Sequence, residues 1–154
     1  MGYIQESGTW RNEYLTGAQE LRYGKITPRG TIISYEVLNN LPLKDIFYLL
    51  SIRTDGLKSG NFDYKINFII PDRYEAAATE VKRGIFRYLN NKPAEDAAVT
   101  VTMNKEALYQ LATSNEKPDS LKIKVKGDIY KWYAFLAVID PMDLGFNIVT
   151  PGGQ

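Results

Sequence analysis

Residues 62–70 read FDYKINFII, in which Phe62, Tyr64, Ile66, Phe68 and Ile70 alternate with Asp63, Lys65 and Asn67. Successive side chains of a strand point to opposite faces, so this alternation describes a strand with one apolar side and one polar side. A helix would scatter the same five residues around its circumference. The chain must therefore build a half-buried sheet and supply apolar elements to cover it.

The flanking sequence extends that sheet. Pro71-Asp72-Arg73 is a turn, and YEAAATEVKR (74–83) is a second strand, although its Ala and Glu also favour helix. Arg83-Gly84 makes a tight turn into IFRYLNN (85–91). A loop through Pro93 leads to AAVTVTM (97–103), where Val99, Val101 and Met103 alternate with Thr100 and Thr102. The short connections predict an antiparallel meander of four strands, and LKIKVKG (121–127) adds a fifth.

The period changes elsewhere. Trp10, Tyr14, Ala18 and Leu21 share one face of a helix over 9–24, with Thr9 as N-cap and Gly24 as stop. KITPRGT (25–31) is a linker, and a weak helix follows at 32–39. A helix from Pro42 to about Arg53 carries Leu43, Ile46, Phe47, Leu49, Leu50 and Ile52 nearly all round, which predicts deep burial. NKEALYQLATS (104–114) is capped by Asn104 and turns Leu108, Leu111 and Ala112 inward. Asp128 caps IYKWYAFLAVI (129–139), with Ile129, Trp132, Tyr133, Leu136 and Ile139 on one side and Pro141 as its end. The order predicts an α+β domain, residues 32–154, preceded by a helical segment and linker, residues 1–31.

The chain has no His and no Cys. Thiolate chemistry, disulfides, imidazole general bases and Ser-His-Asp catalysis are thereby excluded within it. We read the chain itself as non-catalytic and without a metal site. A net charge of +1 gives no reason to expect a nucleic-acid or anionic-membrane partner. No apolar run reaches the roughly 20 residues of a membrane span, and MGYIQESGTW lacks the charged and apolar regions of a signal peptide.

Three constellations invite chemistry. Lys122, Lys124 and Lys126 share one strand face and suit an anion, but lysines also protect the solvent face of an edge strand, and that reading takes precedence. Asp140 and Asp143 flank Pro141-Met142; two carboxylates fall short of the oxygen ligands a calcium ion needs, and turn chemistry explains them. The aromatic helix around Trp132, Tyr133, Phe135 and Leu136 either packs a core or walls an apolar cavity.

TWRNEYLTGAQELR (9–22) resembles the end of the helical middle domain of bacterial alkyl sulfatases, sulfuric ester hydrolases of the metallo-β-lactamase superfamily. FNIVTP (146–151) resembles their closing motif. Between them, VTVTMNKEALYQL followed by LKIKVKGD is similar to the sterol carrier protein 2 (SCP2) fold that forms the C-terminal domain of these enzymes. The resemblance implies an SCP2-like, about five-stranded, largely antiparallel sheet covered by helices. It implies two zinc ions in the parent, held by a histidine-rich preceding domain that has no counterpart here. Its partners are then the preceding catalytic and dimerisation domains and an aliphatic chain or lipid-like ligand.

An apolar tunnel between sheet and helices follows from the same resemblance. Large apolar residues from different elements, Phe47, Leu50, Phe68, Phe86, Trp132, Phe135, Leu136 and Ile139, are its candidate wall. The alternatives are a ligand-free structural domain of the same enzyme and a stand-alone lipid-transfer module. The tail residues Phe146, Ile148 and Val149 are expected to be buried against the core.

Overall fold

The computed structural model describes residues 7–24, 37, 40–115, 123–141 and 149. The chain divides into two compact units: Met1–Ile32 with Asp143–Gln154, and Ile33–Met142.

The second unit is built on a five-stranded sheet. Its strands are β1 (Asp63–Ile70), β2 (Glu75–Lys82), β3 (Ile85–Asn90), β4 (Val99–Thr102) and β5 (Lys124–Gly127). They stand in the order β3-β2-β1-β4-β5. The alternation of 62–70 does what it predicts: Ile66, Phe68 and Ile70 are fully buried, and the register sets Phe68 between Ala77 of β2 and Val101 of β4. The hairpin between β2 and β3 turns on Arg83 and Gly84, both at positive φ, the twist a two-residue hairpin needs. A Cβ at Gly84 would run into the backbone carbonyl of Gly56, so glycine is required there twice over.

The predicted four-stranded meander stops after three strands. β4 does not pair with β3; it lies on the far side of β1 and runs parallel to it, the one parallel pairing among the described strands. The reason is a side chain on the polar face. Asn67 Nδ2 donates to the Ala94 carbonyl at 2.9 Å, the Ala94 N–H donates to Asn67 Oδ1 at 2.8 Å, and the Ala98 N–H donates to the Lys65 carbonyl at 3.0 Å. The carboxamide thus substitutes for a backbone partner and carries the loop across β1, a step that alternation does not encode.

Among the described residues, three α-helices accompany the sheet in this unit: α2 (Leu43–Arg53), α3 (Lys105–Thr113) and α4 (Ile129–Ala137). Asn104 accepts the Ala107 N–H at 2.9 Å, and Asp128 accepts the Tyr130 and Lys131 N–H groups, so both predicted N-caps form. Leu108, Leu111 and Ala112 point inward as predicted. Two helices correct the sequence reading. In α2, Leu43, Ile46, Phe47 and Leu50 are buried but Ile52 is 66% exposed, because the neighbours cover only one side. In α4 the inward pair is Trp132 and Phe135, while Ile129 and Tyr133 face solvent. The helix ends at Ala137, short of Pro141, because the chain straightens to pair with the segment after α2: Thr54 bridges Ile139, and the Asp140 N–H donates to the Arg53 carbonyl at 2.7 Å.

In the first unit, α1 (Gly8–Tyr23) begins after Ser7, not Thr9, and Gly24 closes it at φ 81°. Trp10, Tyr14 and Leu21 share a side as predicted and are exposed, whereas Gly17 and Glu20 are buried. Val149 is 49% exposed, in contrast to the expected burial, and its N–H donates to the Glu20 carboxylate at 3.3 Å. Phe146 and Ile148 lie outside the described residues, as does all of the weak helix at 32–39 except Val37.

Candidate functional site

The face of β1–β4 with alternating apolar residues presents Phe68 and Phe86, and α2 and α4 lower Phe47, Trp132 and Phe135 onto them. Every ring of this group touches two others. Phe47 meets Phe68 at 4.9 Å between centroids, Phe68 meets Trp132 edge-on at 6.1 Å, and Trp132 meets Phe135 at 5.9 Å. Phe135 meets Phe86 at 5.0 Å, and Phe86 returns to Phe47 at 6.3 Å. Tilted and edge-to-face pairs at these separations add about 0.5–1.5 kcal/mol each beyond area burial. Leu50 is fully buried in the same cluster. Six of the eight candidate wall residues are therefore in one aromatic layer between sheet and helices.

Leu136 and Ile139 are partly buried and pack against the edge of the same cluster. With Arg53, Leu111 and Pro141 they line a separate cavity of about 120 Å³. Arg53 is 7% exposed, and its guanidinium donates to the carbonyls of Asp140 (2.9 Å), Leu111 (3.0 Å) and Ser114 (2.9 Å). Burial pushes its pKa down, and the nearby Asp140 charge opposes that shift. A buried guanidinium with this fan of acceptors closes the C-terminal end of α3 and ties it to the strand-like segment after α4. Sequence reading placed Arg53 only as the last residue of an apolar helix, and nothing in its neighbours signals the carbonyls it would meet.

A second cavity, of about 300 Å³, opens where α2 begins beside β2 and β3, between Pro42, Leu43, Ala76 and Tyr88, with Lys44 and Tyr74 at its edge. In the first unit, Trp10, Tyr14, Ala18, Leu21 and Val149 line a groove of about 490 Å³ on α1.

The remaining constellations are ordinary. β5 is an edge strand, and Lys124 and Lys126 point to solvent from it; Lys122 lies outside the described residues. The Asp140 carboxylate pairs with Lys58 at 3.2 Å, and Asp143 lies outside the described residues. Lys58 also pairs with Asp55 at 2.7 Å, which raises the lysine pKa and lowers that of Asp55. Among the described residues no three His, Cys, Asp or Glu side chains converge, and no helix is long and apolar enough to cross a membrane.

A family model described as "Alkyl sulfatase C-terminal" matches residues 31–151. A linear primary-alkylsulfatase from Pseudomonas sp. is 33% identical over 98% of this chain, and an (R)-specific secondary-alkylsulfatase from Pseudomonas sp. is 31% identical over the same share. The chain spans 23% of the length of each. Among solved structures, a stereoselective inverting sec-alkylsulfatase from Pseudomonas sp. superposes with a TM-score of 0.72 at 30% identity, over 97% of this chain and 24% of that one.

Proposed function

The chain belongs to the alkyl sulfatase C-terminal family, and from that premise we propose that it is the non-catalytic C-terminal domain of an alkyl sulfatase and holds the aliphatic chain of the substrate. The supporting observation is the aromatic layer formed by Phe47, Phe68, Phe86, Trp132 and Phe135, rings brought from β1, β3, α2 and α4 to one apolar face. Each methylene that leaves water for such a layer contributes about 0.8 kcal/mol, so a long alkyl chain supplies ample driving force before association costs.

Zinc chemistry, if the parent uses it, belongs to a preceding domain. This chain offers no His or Cys ligand, and no step is assigned to a metal here. Residues 1–31 would then be the end of the parent's helical dimerisation segment. A ligand-free scaffold is the second reading, and ring separations of 4.9–6.3 Å favour it, since rings in contact must part before a chain can lie between them.

Titration with dodecanol and a fluorescent fatty-chain probe, below micelle concentrations and followed through Trp132 emission, decides between them. Saturable, displaceable binding near one ligand per chain supports the chain-holding role; its absence leaves the scaffold. The chain alone, with added zinc, should hydrolyse no alkyl sulfate, and turnover would overturn the non-catalytic reading.

A further inference from the structure

The 300 Å³ cavity at the start of α2 is lined by two opposite charges that do not meet, Lys44 of α2 and Glu75 of β2. Lys44 is exposed and makes no hydrogen bond or ion pair with any described residue. The Glu75 carboxylate accepts no hydrogen bond from any described residue, and its Oε2 is buried without one. The nearest ammonium to it, that of Lys105, stands at 3.9 Å, beyond hydrogen-bond reach. Asn91 also lines the cavity, and its carboxamide bonds to no described residue.

Beneath these three polar side chains the floor is apolar. Tyr88 stacks on Phe47 with centroids 6.0 Å apart and planes at 22°, and Leu43 packs into the same core. A few polar groups over an apolar floor are what orients a small ligand, and the volume reaches the lower end of the roughly 300–1,000 Å³ of such sites. A simple anion would meet the Glu75 carboxylate, and a simple cation would meet the Lys44 ammonium; like charges side by side are costly in either case. A molecule that carries both signs satisfies both walls. The start of α2 strengthens the positive side, because Pro42 brings no capping side chain to its first turn and the helix dipole adds to Lys44 there.

We propose that this cavity binds a small zwitterion with an apolar side chain, of which a free α-amino acid such as leucine is the simplest form. The ligand's ammonium donates to the Glu75 carboxylate. Its carboxylate meets Lys44 and the first turn of α2, and its side chain lies on Leu43 and Tyr88. Charge-assisted contacts at two ends of one ligand fix its direction in the cavity. This site is separate in its chemistry from the chain-holding role proposed above and does not depend on it.

The experiment titrates the whole 154-residue chain with L-leucine, N-acetyl-L-leucine, L-leucinamide and glycine, followed by amide chemical shifts in two-dimensional NMR. Leucine should shift the amides of Leu43, Ala76 and Tyr88 in a saturable way. N-acetyl-leucine lacks the ammonium and leucinamide lacks the carboxylate, and each should bind roughly threefold to tenfold more weakly, the range expected of a partly solvated charge contact. Glycine, without a side chain for the floor, should also bind more weakly than leucine. Lys44→Gln, a change at an exposed helix position, should weaken leucine and leave leucinamide unchanged. Glu75→Gln should weaken leucine and leucinamide and leave N-acetyl-leucine unchanged. If leucine gives no saturable shift at these amides, the proposal falls. It falls equally if N-acetyl-leucine and leucinamide bind as tightly as leucine, since the charges are then not read, or if glycine does, since the floor is then not used.

Discussion

The face of the sheet that carries Ile66, Phe68 and Val101 and the face that carries Lys65, Asn67 and Glu80 are stabilised by different physics. On the first, rings and branched chains from α2, α3 and α4 fill a single apolar cluster. On the second, Asn67 and Glu80 are buried and depend on individual polar partners: Ala94 for Asn67, and the Arg87 guanidinium, whose Nε donates at 2.9 Å, for Glu80. A defect on the first face costs packing in proportion to the volume removed. A defect on the second costs the desolvation of whichever group loses its partner. Asn67 and Glu80 are buried on the polar face too, so the alternation of FDYKINFII separates apolar from polar but not buried from exposed.

The largest effect should come from the apolar face. Phe135→Ala removes a fully buried ring that touches Phe86 and Trp132, and should lower stability by about 3–5 kcal/mol in chemical denaturation. A loss under about 1 kcal/mol would mean that the rings do not close on one another as described. Asn67→Ala is the matching cut on the polar face. It strands the Ala94 N–H and carbonyl and should cost about 1–3 kcal/mol, with faster hydrogen exchange at Ala94. If the Ala94 amide stays protected, the crossover is held by something other than this carboxamide.

The smallest effect lies where the two kinds of interaction meet. The Tyr64 hydroxyl donates to the Lys131 carbonyl at 3.0 Å, and burial, reinforced by the Asp128 charge, raises its pKa from 10.0 to about 12. The folded state holds that proton more tightly than the unfolded chain does. Its contribution to stability is therefore complete below pH 10 and is lost as the pH rises through about 12. Melting temperatures measured over that interval should fall, and Tyr64→Phe should flatten the step; a tyrosine titration in which Tyr64 ionises with the ordinary tyrosines would contradict this.

Much of the architecture was legible in residue order. The strand alternation, the caps at Asn104 and Asp128 and the turn at Arg83-Gly84 all express rules that operate within a few residues. The packing of the residues named as a candidate wall was legible in part. Phe47, Leu50, Phe68, Phe86, Trp132 and Phe135 meet because each belongs to the apolar side of a periodic element, whereas Leu136 and Ile139 are only partly buried at the edge of that cluster and also line the cavity beside Arg53. Lys44, Tyr74 and Tyr88 gave no signal, because a cavity edge is assembled from separate segments of the chain and has no period.

By itself, then, the residue order determined that the chain alternates into strands, where the helices capped by Asn104 and Asp128 begin, and that it holds neither imidazole nor thiol. Those properties follow from covalent geometry and from the chemistry of the side chains present, which need no partner to be defined. Only the tertiary structure decided that β4 lies beside β1, that Arg53 closes α3, and which side of α4 meets the sheet. Each of those depends on hydrogen bonds and packing between distant segments, and such contacts are selected by the whole fold competing against water rather than by any one stretch of chain.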